Sequence, residues 1–350
     1  MKTIKVNFEG ASFPLFIGND VLERFSELLN LYRFPDKIAI VLQEGVSAQF
    51  IPGYETFDEI ILPKNINLSE LETIEQFYAG IPWKQIESSF TLIVVGDELL
   101  LNLVSFACRL LTHSPVIVNM PTTLWAMSEC GVKNSAFLNW KKRPSVISVF
   151  TWPQMAILDL QCLQNTDRNE IFLLHASFVR NLLLASSEKF AEYEESWQKI
   201  GFENEELLID SLEFNAKTRI AIYNQGNQTH YLLEDFGNRA INIIKSEGKY
   251  RLKPREIASM IFLELRWRIK LAEQCNLDNS EESSRVLFLI ERLLAEYHVK
   301  QEEWDKARDL LLQCFTPTML NNLYLPSAIG KIQKLKSIDR SVAEQCLVDC

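Results

Sequence analysis

Short apolar runs alternate with amphipathic stretches along the first 165 residues of the chain. Runs such as KIAIVL (37–42), TLIVVG (91–96) and SPVIVNM (114–120) have the length and the β-branched content of buried strands. Between such runs, NDVLERFSELLNLY (19–32) and ELLLNLVSFACRLL (98–111) repeat apolar residues at helical spacing. Strands that alternate with helices predict a mostly parallel sheet covered by helices, and therefore a Rossmann-like α/β domain over residues 1–165.

The pattern changes after about residue 165, where helical spacing continues and strand-like alternation is not recognised. Long amphipathic stretches include RNEIFLLHASFVRNLLLASSEKFAEYEESW (168–197) and KPREIASMIFLELRWRIKLAEQ (253–274). We therefore predict an all-α second domain over residues 166–350. Apolar positions of its helices, for example Ile261, Phe262, Leu265 and Ile269, could bury against another copy of the chain.

Composition and charge exclude several classes of protein. The formal net charge is −10, which argues against a nucleic-acid-binding protein because such a protein needs a basic face for phosphates. The short basic stretches WKKRP (140–144) and ELRWRIK (264–270) are more typical of solvated loops or helix faces. No apolar run is long enough to cross a membrane, and the first residues lack the apolar core of a signal peptide. We expect a cytoplasmic protein.

Several segments resemble the 3-dehydroquinate synthase family, the sugar phosphate cyclases, and they occur in the family's order. The segments are FPLFIGNDVL (13–22), ILPKNINLSELETIEQFYAGI (61–81), SSFTLIVVGDELLLNLVSFACRLL (88–111), VIVNMPTTLWA (116–126), VFTWPQMAILDLQCL (149–163), LHASFVRNLLL (174–184), LLEDFGNRAINI (232–243) and NLYLPSAIGKI (322–332). The resemblance implies a dehydroquinate-synthase-like fold and a homodimer. It also implies NAD, a divalent metal such as zinc or cobalt, and carbon–oxygen lyase chemistry that eliminates phosphate and closes a ring.

The loop that would hold NAD in the family is altered in this chain. A family loop of the type GGGVVGD corresponds to GDELLLN (96–102), in which only Gly96 is kept. The carboxylates of Asp97 and Glu98 would repel a diphosphate at close range. Thr122 and Thr123 match the family's nucleotide-contacting threonines, although a tight turn explains them equally well. We expect no bound NAD.

The three metal-ligand positions of the family, a glutamate and two histidines, also carry other residue types. The resemblance places Ser177, Glu234 and Lys253 at these positions. A hydroxyl and an ammonium cannot replace a carboxylate and an imidazole around a divalent ion. We therefore expect no bound metal.

Five side chains are candidates for the walls of a substrate cleft. They are Glu129, Arg180, Arg219, Lys253 and Arg255. The cations among them could bind a small anion, or they could pair with the many glutamates on the same helices.

Two functional hypotheses remain open from the sequence. The first is a pseudoenzyme that has lost metal-dependent cyclase activity and acts by binding a small anionic metabolite or a protein partner. The second is an active lyase of the 3-dehydroquinate synthase type with a rebuilt, metal-independent site between the two domains.

Overall fold

A computed structural model describes residues 1–8, 10–81, 89–141, 143–225, 232–233, 235–247, 252–277 and 280–350. Contacts between Cα atoms divide the chain into two compact units. The first unit contains Met1–Thr166 and Phe202–Ile220, and the second contains Asp167–Gly201 and Ala221–Cys350. The domain limits of 1–165 and 166–350 stay a prediction. The first compact unit also includes the later segment Phe202–Ile220, which contains most of one helix.

The first unit is built on a mostly parallel seven-stranded sheet, as the alternation of strands and helices predicts. Its order is β1-β2-β9-β6-β5-β3-β4, and β1 and β2 form its one antiparallel pair. The strands are β1 (Lys2–Phe8), β2 (Ala11–Gly18), β3 (Ile38–Gln43), β4 (Asp58–Leu62), β5 (Thr91–Gly96), β6 (Val116–Pro121) and β9 (Met155–Asp159). All residues of β5 are buried, which fits a strand covered on both faces.

Helices cover the faces of this sheet. The described helices of the first unit are α1 (Phe25–Leu31), α2 (Thr73–Gly80), α3 (Glu98–Arg109), α4 (Leu124–Cys130) and α7 (Glu205–Tyr223), whose last residues belong to the second unit. Short 3-10 turns lie at Leu22–Arg24, Tyr54–Thr56 and Leu160–Cys162. One continuous apolar core joins α2 and α3 to β3, β4 and β5.

WKKRP lies at the turn of a hairpin whose strands the sequence pattern does not reveal, β7 (Ser135–Trp140) and β8 (Arg143–Phe150). One face of the hairpin adds Ala136 and Leu138 to the apolar core. Strand β8 escapes recognition because it is exposed along one face and therefore lacks the run of buried positions that marks the other strands.

The second unit is helical, as predicted. Its described helices are α5 (Arg168–Ala185), α6 (Ser187–Ser196), α8 (Arg239–Glu247), α9 (Pro254–Gln274), α10 (Ser280–Glu296), α11 (Gln301–Gln313), α12 (Pro317–Leu320) and α13 (Arg340–Val348), with a 3-10 turn at Trp197–Lys199. The stretch 168–197 is interrupted at Ser186, whose extended backbone and hydroxyl cap α6. Helix α9 lies at the centre, and Trp267 donates from Nε1 to the carbonyl of Ala343 at 2.9 Å.

One hairpin adds strands to this helical unit. It consists of β10 (Asn321–Ala328) and β11 (Lys331–Ser337). Its turn needs glycine at position 330, where φ is +78° and a Cβ would lie 2.8 Å from the carbonyl oxygen of Ala185. The expectation of a second half without strands is therefore wrong for this segment.

The apolar positions of α9 do not form an outer face. Ile261, Phe262, Leu265 and Ile269 are buried within one copy of the chain. They belong to the interior of the second unit and are not available to a second copy, so the expected homodimer stays a prediction without this surface. Among the described residues, no helix is both long and apolar enough to span a membrane.

Candidate functional site

The candidate NAD-binding residues, Gly96, Thr122 and Thr123, lie together at the carboxyl ends of two neighbouring strands. Gly96 ends β5 and pairs with Pro121 at the end of β6, and Thr122 donates from its backbone nitrogen to the carbonyl of Gly96 at 2.9 Å. The carboxyl edge of a parallel sheet is where α/β folds bind ligands. The candidate residues therefore lie together at this edge of the sheet, and their role in nucleotide binding stays a prediction.

The groups that an anion would need at this edge are used within the chain. Asp97 is the N-cap of α3, and its Oδ1 accepts from the backbone nitrogens of Leu99 and Leu100, both at 3.1 Å. Such a cap contributes about 1 kcal/mol to stability. A pyrophosphate at this helix end would have to displace the Asp97 carboxylate.

The small residues of this edge also have structural reasons to be present. A Cβ at Gly96 would lie 2.6 Å from Cδ2 of Leu100, so close packing of helix on strand accounts for the glycine. Thr123 is the N-cap of α4, and its hydroxyl accepts from the backbone nitrogen of Ala126 at 3.0 Å. These residues therefore do not require a nucleotide to explain them.

Two of the candidate cleft residues form a buried ion pair in the first unit. Arg219 on α7 donates from Nη1 to Oε2 of Glu129 at 3.1 Å and from Nη2 to the carbonyl of Glu129 at 3.0 Å. Its Nε donates to the carbonyl of Val132 at 3.2 Å. Beside this pair, Asn215 donates to the carbonyl and hydroxyl oxygens of Ser128 at 3.0 and 2.9 Å. The pair joins α7 to the end of α4, and both side chains therefore have a structural role.

In the second unit, Ser177 and Arg180 lie one turn apart on α5 and are fully buried. Arg180 donates from Nε and Nη2 to Oδ1 of Asn181 at 3.3 and 3.0 Å. The backbone of Gly237, with φ of +73°, passes so close that a Cβ there would lie 3.0 Å from Cδ of Arg180. The position of the family's glutamate ligand is thus occupied by a small side chain inside the helical core.

The remaining candidates lie at the start of α9, apart from Glu234, which lies outside the described residues. Lys253 is the N-cap residue and is exposed. Arg255 donates from Nε to Oε2 of Glu303 at 2.7 Å and from Nη2 to the carbonyls of Tyr297 and His298. Arg255 therefore pairs with groups of the chain itself, which was one of the two possibilities for these cations. Lys253, in contrast, is exposed to solvent.

A buried ionic cluster lies where the sequence predicts a solvated helix face. Glu264 and Arg268 on α9 have side chains that are 0% exposed, and Oε1 of Glu264 accepts from Arg268 Nη2 at 2.6 Å. Arg268 also reaches the carbonyl of Tyr324 at 2.7 Å and approaches Asp235, which pairs with Arg239. The signal in the sequence is an acid and a base four residues apart within the run MIFLELRWRI (260–269), which is apolar apart from these two residues and Arg266.

The residues present do not fit a divalent metal at the family's positions. A hydroxyl at 177 and an ammonium at 253 cannot act as the carboxylate and imidazole ligands that zinc requires. In the part of the chain that the structure describes, no three His, Cys, Asp or Glu side chains are grouped so that they could hold a metal ion. The donor set, and not the lack of an ion, is the reason for this conclusion.

Comparisons with known proteins agree with the fold. Residues 59–172 match the family model of the 3-dehydroquinate synthase N-terminal domain. A 3-dehydroquinate synthase of Neisseria meningitidis (strain FAM18) is 26% identical over 179 residues, which are 49% of this chain and 50% of that protein. The chain thus matches about half the length of such relatives.

Two solved structures share the fold over most of the chain. A 2-deoxy-scyllo-inosose synthase, complexed with carbaglucose-6-phosphate, NAD+ and Co2+, superposes with a TM-score of 0.77 at 15% identity and covers 99% of both chains. A 2-epi-5-epi-valiolone synthase from Streptomyces hygroscopicus, with NAD+ and Zn2+ bound, gives a TM-score of 0.67 at 15% identity and covers 89% of this chain and 90% of that one. At this identity the likeness concerns the fold alone.

Proposed function

Since the chain belongs to the 3-dehydroquinate synthase family, the sugar phosphate cyclases, we propose that it is a member without metal-dependent cyclase activity that works by binding a small anionic metabolite. One observation carries the first half of this proposal. The resemblance places Ser177 and Lys253 at two of the family's metal-ligand positions, and neither can bind zinc or cobalt as a glutamate or a neutral histidine does.

The buried contacts support the loss of activity. An enzyme that binds NAD needs an open helix end at the carboxyl edge of its sheet, but the Asp97 carboxylate already accepts from the first backbone nitrogens of α3. Arg219 and Glu129 are bound to each other, so neither is available to a substrate unless the pair breaks. Asp97, Glu129 and Arg219 therefore make structural contacts within the chain.

Lys253 supports the second half of the proposal. Among the five candidates it is the one that the structure exposes, and it stands at the N-terminus of the 21-residue helix α9. An ammonium at the positive end of a long helix is favourable for an anion and unfavourable for a metal cation. A phosphorylated or carboxylated small molecule fits this environment.

Turnover tests the first half. The purified chain, supplied with NAD+, either Zn2+ or Co2+ and the phosphorylated substrate of the control enzyme, is expected to form no 3-dehydroquinate, because the side chains at the ligand positions cannot hold the ion. The 3-dehydroquinate synthase of Neisseria meningitidis, assayed in the same buffer, is the positive control. Steady formation of 3-dehydroquinate by this chain would refute the proposal.

A thermal-shift screen tests the second half. Phosphorylated sugars, keto acids and nucleotides are added to the full chain, and a ligand that binds only the folded protein raises the unfolding temperature by mass action. Lys253→Met is expected to abolish this rise. Lys300→Met is the matched control, because Lys300 is also an exposed N-cap with nearly the same backbone angles, −78° and 152° against −82° and 159°. No response to any of these anions, or an equal response in both variants, would contradict the proposal.

A further inference from the structure

A small polar cavity lies within the first unit, between α3, the middle of β6 and the segment that leads into β7. It has about 20 Å³ of space for the centres of water-sized groups. Asn102, Asn119, Lys133 and Ser135 contribute to its walls. A volume of this size is sufficient for about one or two water-sized groups.

Two polar atoms of this wall have unmet hydrogen-bonding capacity. Asn119 and Ser135 are 4% and 3% exposed, and within the described residues neither Oδ1 of Asn119 nor Oγ of Ser135 has a hydrogen-bond partner. A buried oxygen in this state costs about 1–3 kcal/mol, so native proteins almost always satisfy it with water or a ligand. Both residues line the cavity, which supplies the room for such a group.

The wall restricts the chemistry of the occupant. Oδ1 of Asn119 needs a hydrogen-bond donor, which a carboxylate or a phosphate lacks. The Lys133 ammonium, whose Nζ is 3.3 Å from Oδ1 of Asn102, repels a metal ion or an amine and donates hydrogen bonds to an acceptor. The Ser135 hydroxyl can donate or accept. A group that both donates and accepts at one atom satisfies all three, and in proteins that group is a hydroxyl.

We propose that this cavity is a binding site for a single hydroxyl group, supplied by water or by the end of a small alcohol. The site lies wholly within the first unit. The anion site at Lys253 lies in the second unit, and the two proposals can fail separately.

The sign of a stability change tests the proposal. Asn119→Leu removes the acceptor and displaces the bound hydroxyl, so the temperature midpoint of unfolding is expected to fall by about 3–8 °C. In a cavity that binds nothing, the same change would remove a costly unpaired oxygen, and the midpoint would rise. Such a rise would overturn the proposal. Ser135→Ala is the second variant and is expected to change the midpoint in the same direction by a smaller amount.

A neighbouring asparagine provides the matched control. Asn139 is also buried in a strand, but it donates to Oγ of Ser69 at 3.0 Å and accepts from the backbone nitrogen of Ser145 at 2.9 Å. Asn139→Leu therefore lowers the midpoint whether or not the cavity is occupied. It shows that the assay detects the loss of a satisfied buried amide.

Crystals of the full chain, grown and cooled without alcohols, identify the source of the hydroxyl. An isolated density peak about 2.8 Å from Asn119 Oδ1 and Ser135 Oγ indicates water. Density that continues from this peak indicates a small alcohol retained from the cell. Either result supports the hydroxyl site, and the absence of density beside both oxygens would overturn it.

Discussion

Replacing Glu264 with alanine is expected to lower the free energy of unfolding by about 3–5 kcal/mol, because it leaves the buried charge of Arg268 without its main partner. Glu264 accepts two hydrogen bonds from Arg268, at 3.0 and 2.6 Å, and one from the backbone nitrogen of Ala240 at 3.0 Å. The loss is measured by urea unfolding of wild type and variant at neutral pH.

Glu273→Ala on the same helix is the matched control. Glu273 pairs with Lys270 at 2.9 Å, but both side chains are about one-third exposed. Its loss is expected to cost no more than about 0.5 kcal/mol, since water screens the pair. Equal losses for the two glutamates would show that the buried cluster does not organise the second unit. The double replacement of Glu264 by Leu and Arg268 by Met should recover most of the stability.

Acidification is expected to destabilise the second unit through His175. Burial lowers the pKa of His175 to about 3, and its Nδ1 lies 2.6 Å from the hydroxyl of Tyr193. The unfolded chain binds a proton at this side chain below pH ~6.5, whereas the folded protein binds it only near pH 3. The contribution is therefore fully present above pH ~6.5, and the free energy of unfolding falls by about 1.4 kcal/mol per pH unit below it.

His175→Gln separates this contribution from the titration of other groups. Glutamine keeps a partner for the Tyr193 hydroxyl but does not titrate, so the difference between variant and wild type should change with pH between about 6.5 and 4. Exposed His113 is the control, because His113→Gln also removes a histidine but leaves the buried His175 in place. Parallel profiles for wild type and His175→Gln would show that His175 is not held neutral by burial.

The sequence predicts the elements that bury a continuous run or a regular face of apolar residues. TLIVVG becomes β5 at the predicted residues, and ELLLNLVSFACRLL becomes α3 with its end two residues earlier. The β7–β8 and β10–β11 hairpins are missed because β8 and β11 have no fully buried residue. Hydrophobic spacing reports on faces that join a large core, and one strand of each hairpin gives no such signal.

The candidate site is predicted less completely than the fold. Gly96, Thr122 and Thr123 lie at one sheet edge, as the strand order requires, but the capping by Asp97 depends on side-chain geometry that residue types alone do not give. The pairing of Glu129 with Arg219 joins residues ninety positions apart, which no local pattern reports. Whether a charge is buried or solvated depends on tertiary packing, and for this reason Glu264 and Arg268 are placed wrongly from the sequence.

Zinc content tests the central claim most directly. Full-length protein is loaded with Zn2+, dialysed against metal-free buffer and measured by elemental analysis, beside the 2-epi-5-epi-valiolone synthase from Streptomyces hygroscopicus, a protein with Zn2+ bound in its own structure. Because Ser177 and Lys253 cannot serve as its ligands, we predict that this chain retains no stoichiometric zinc. Retention of about one zinc ion per chain, lost on addition of a chelator, would contradict the account.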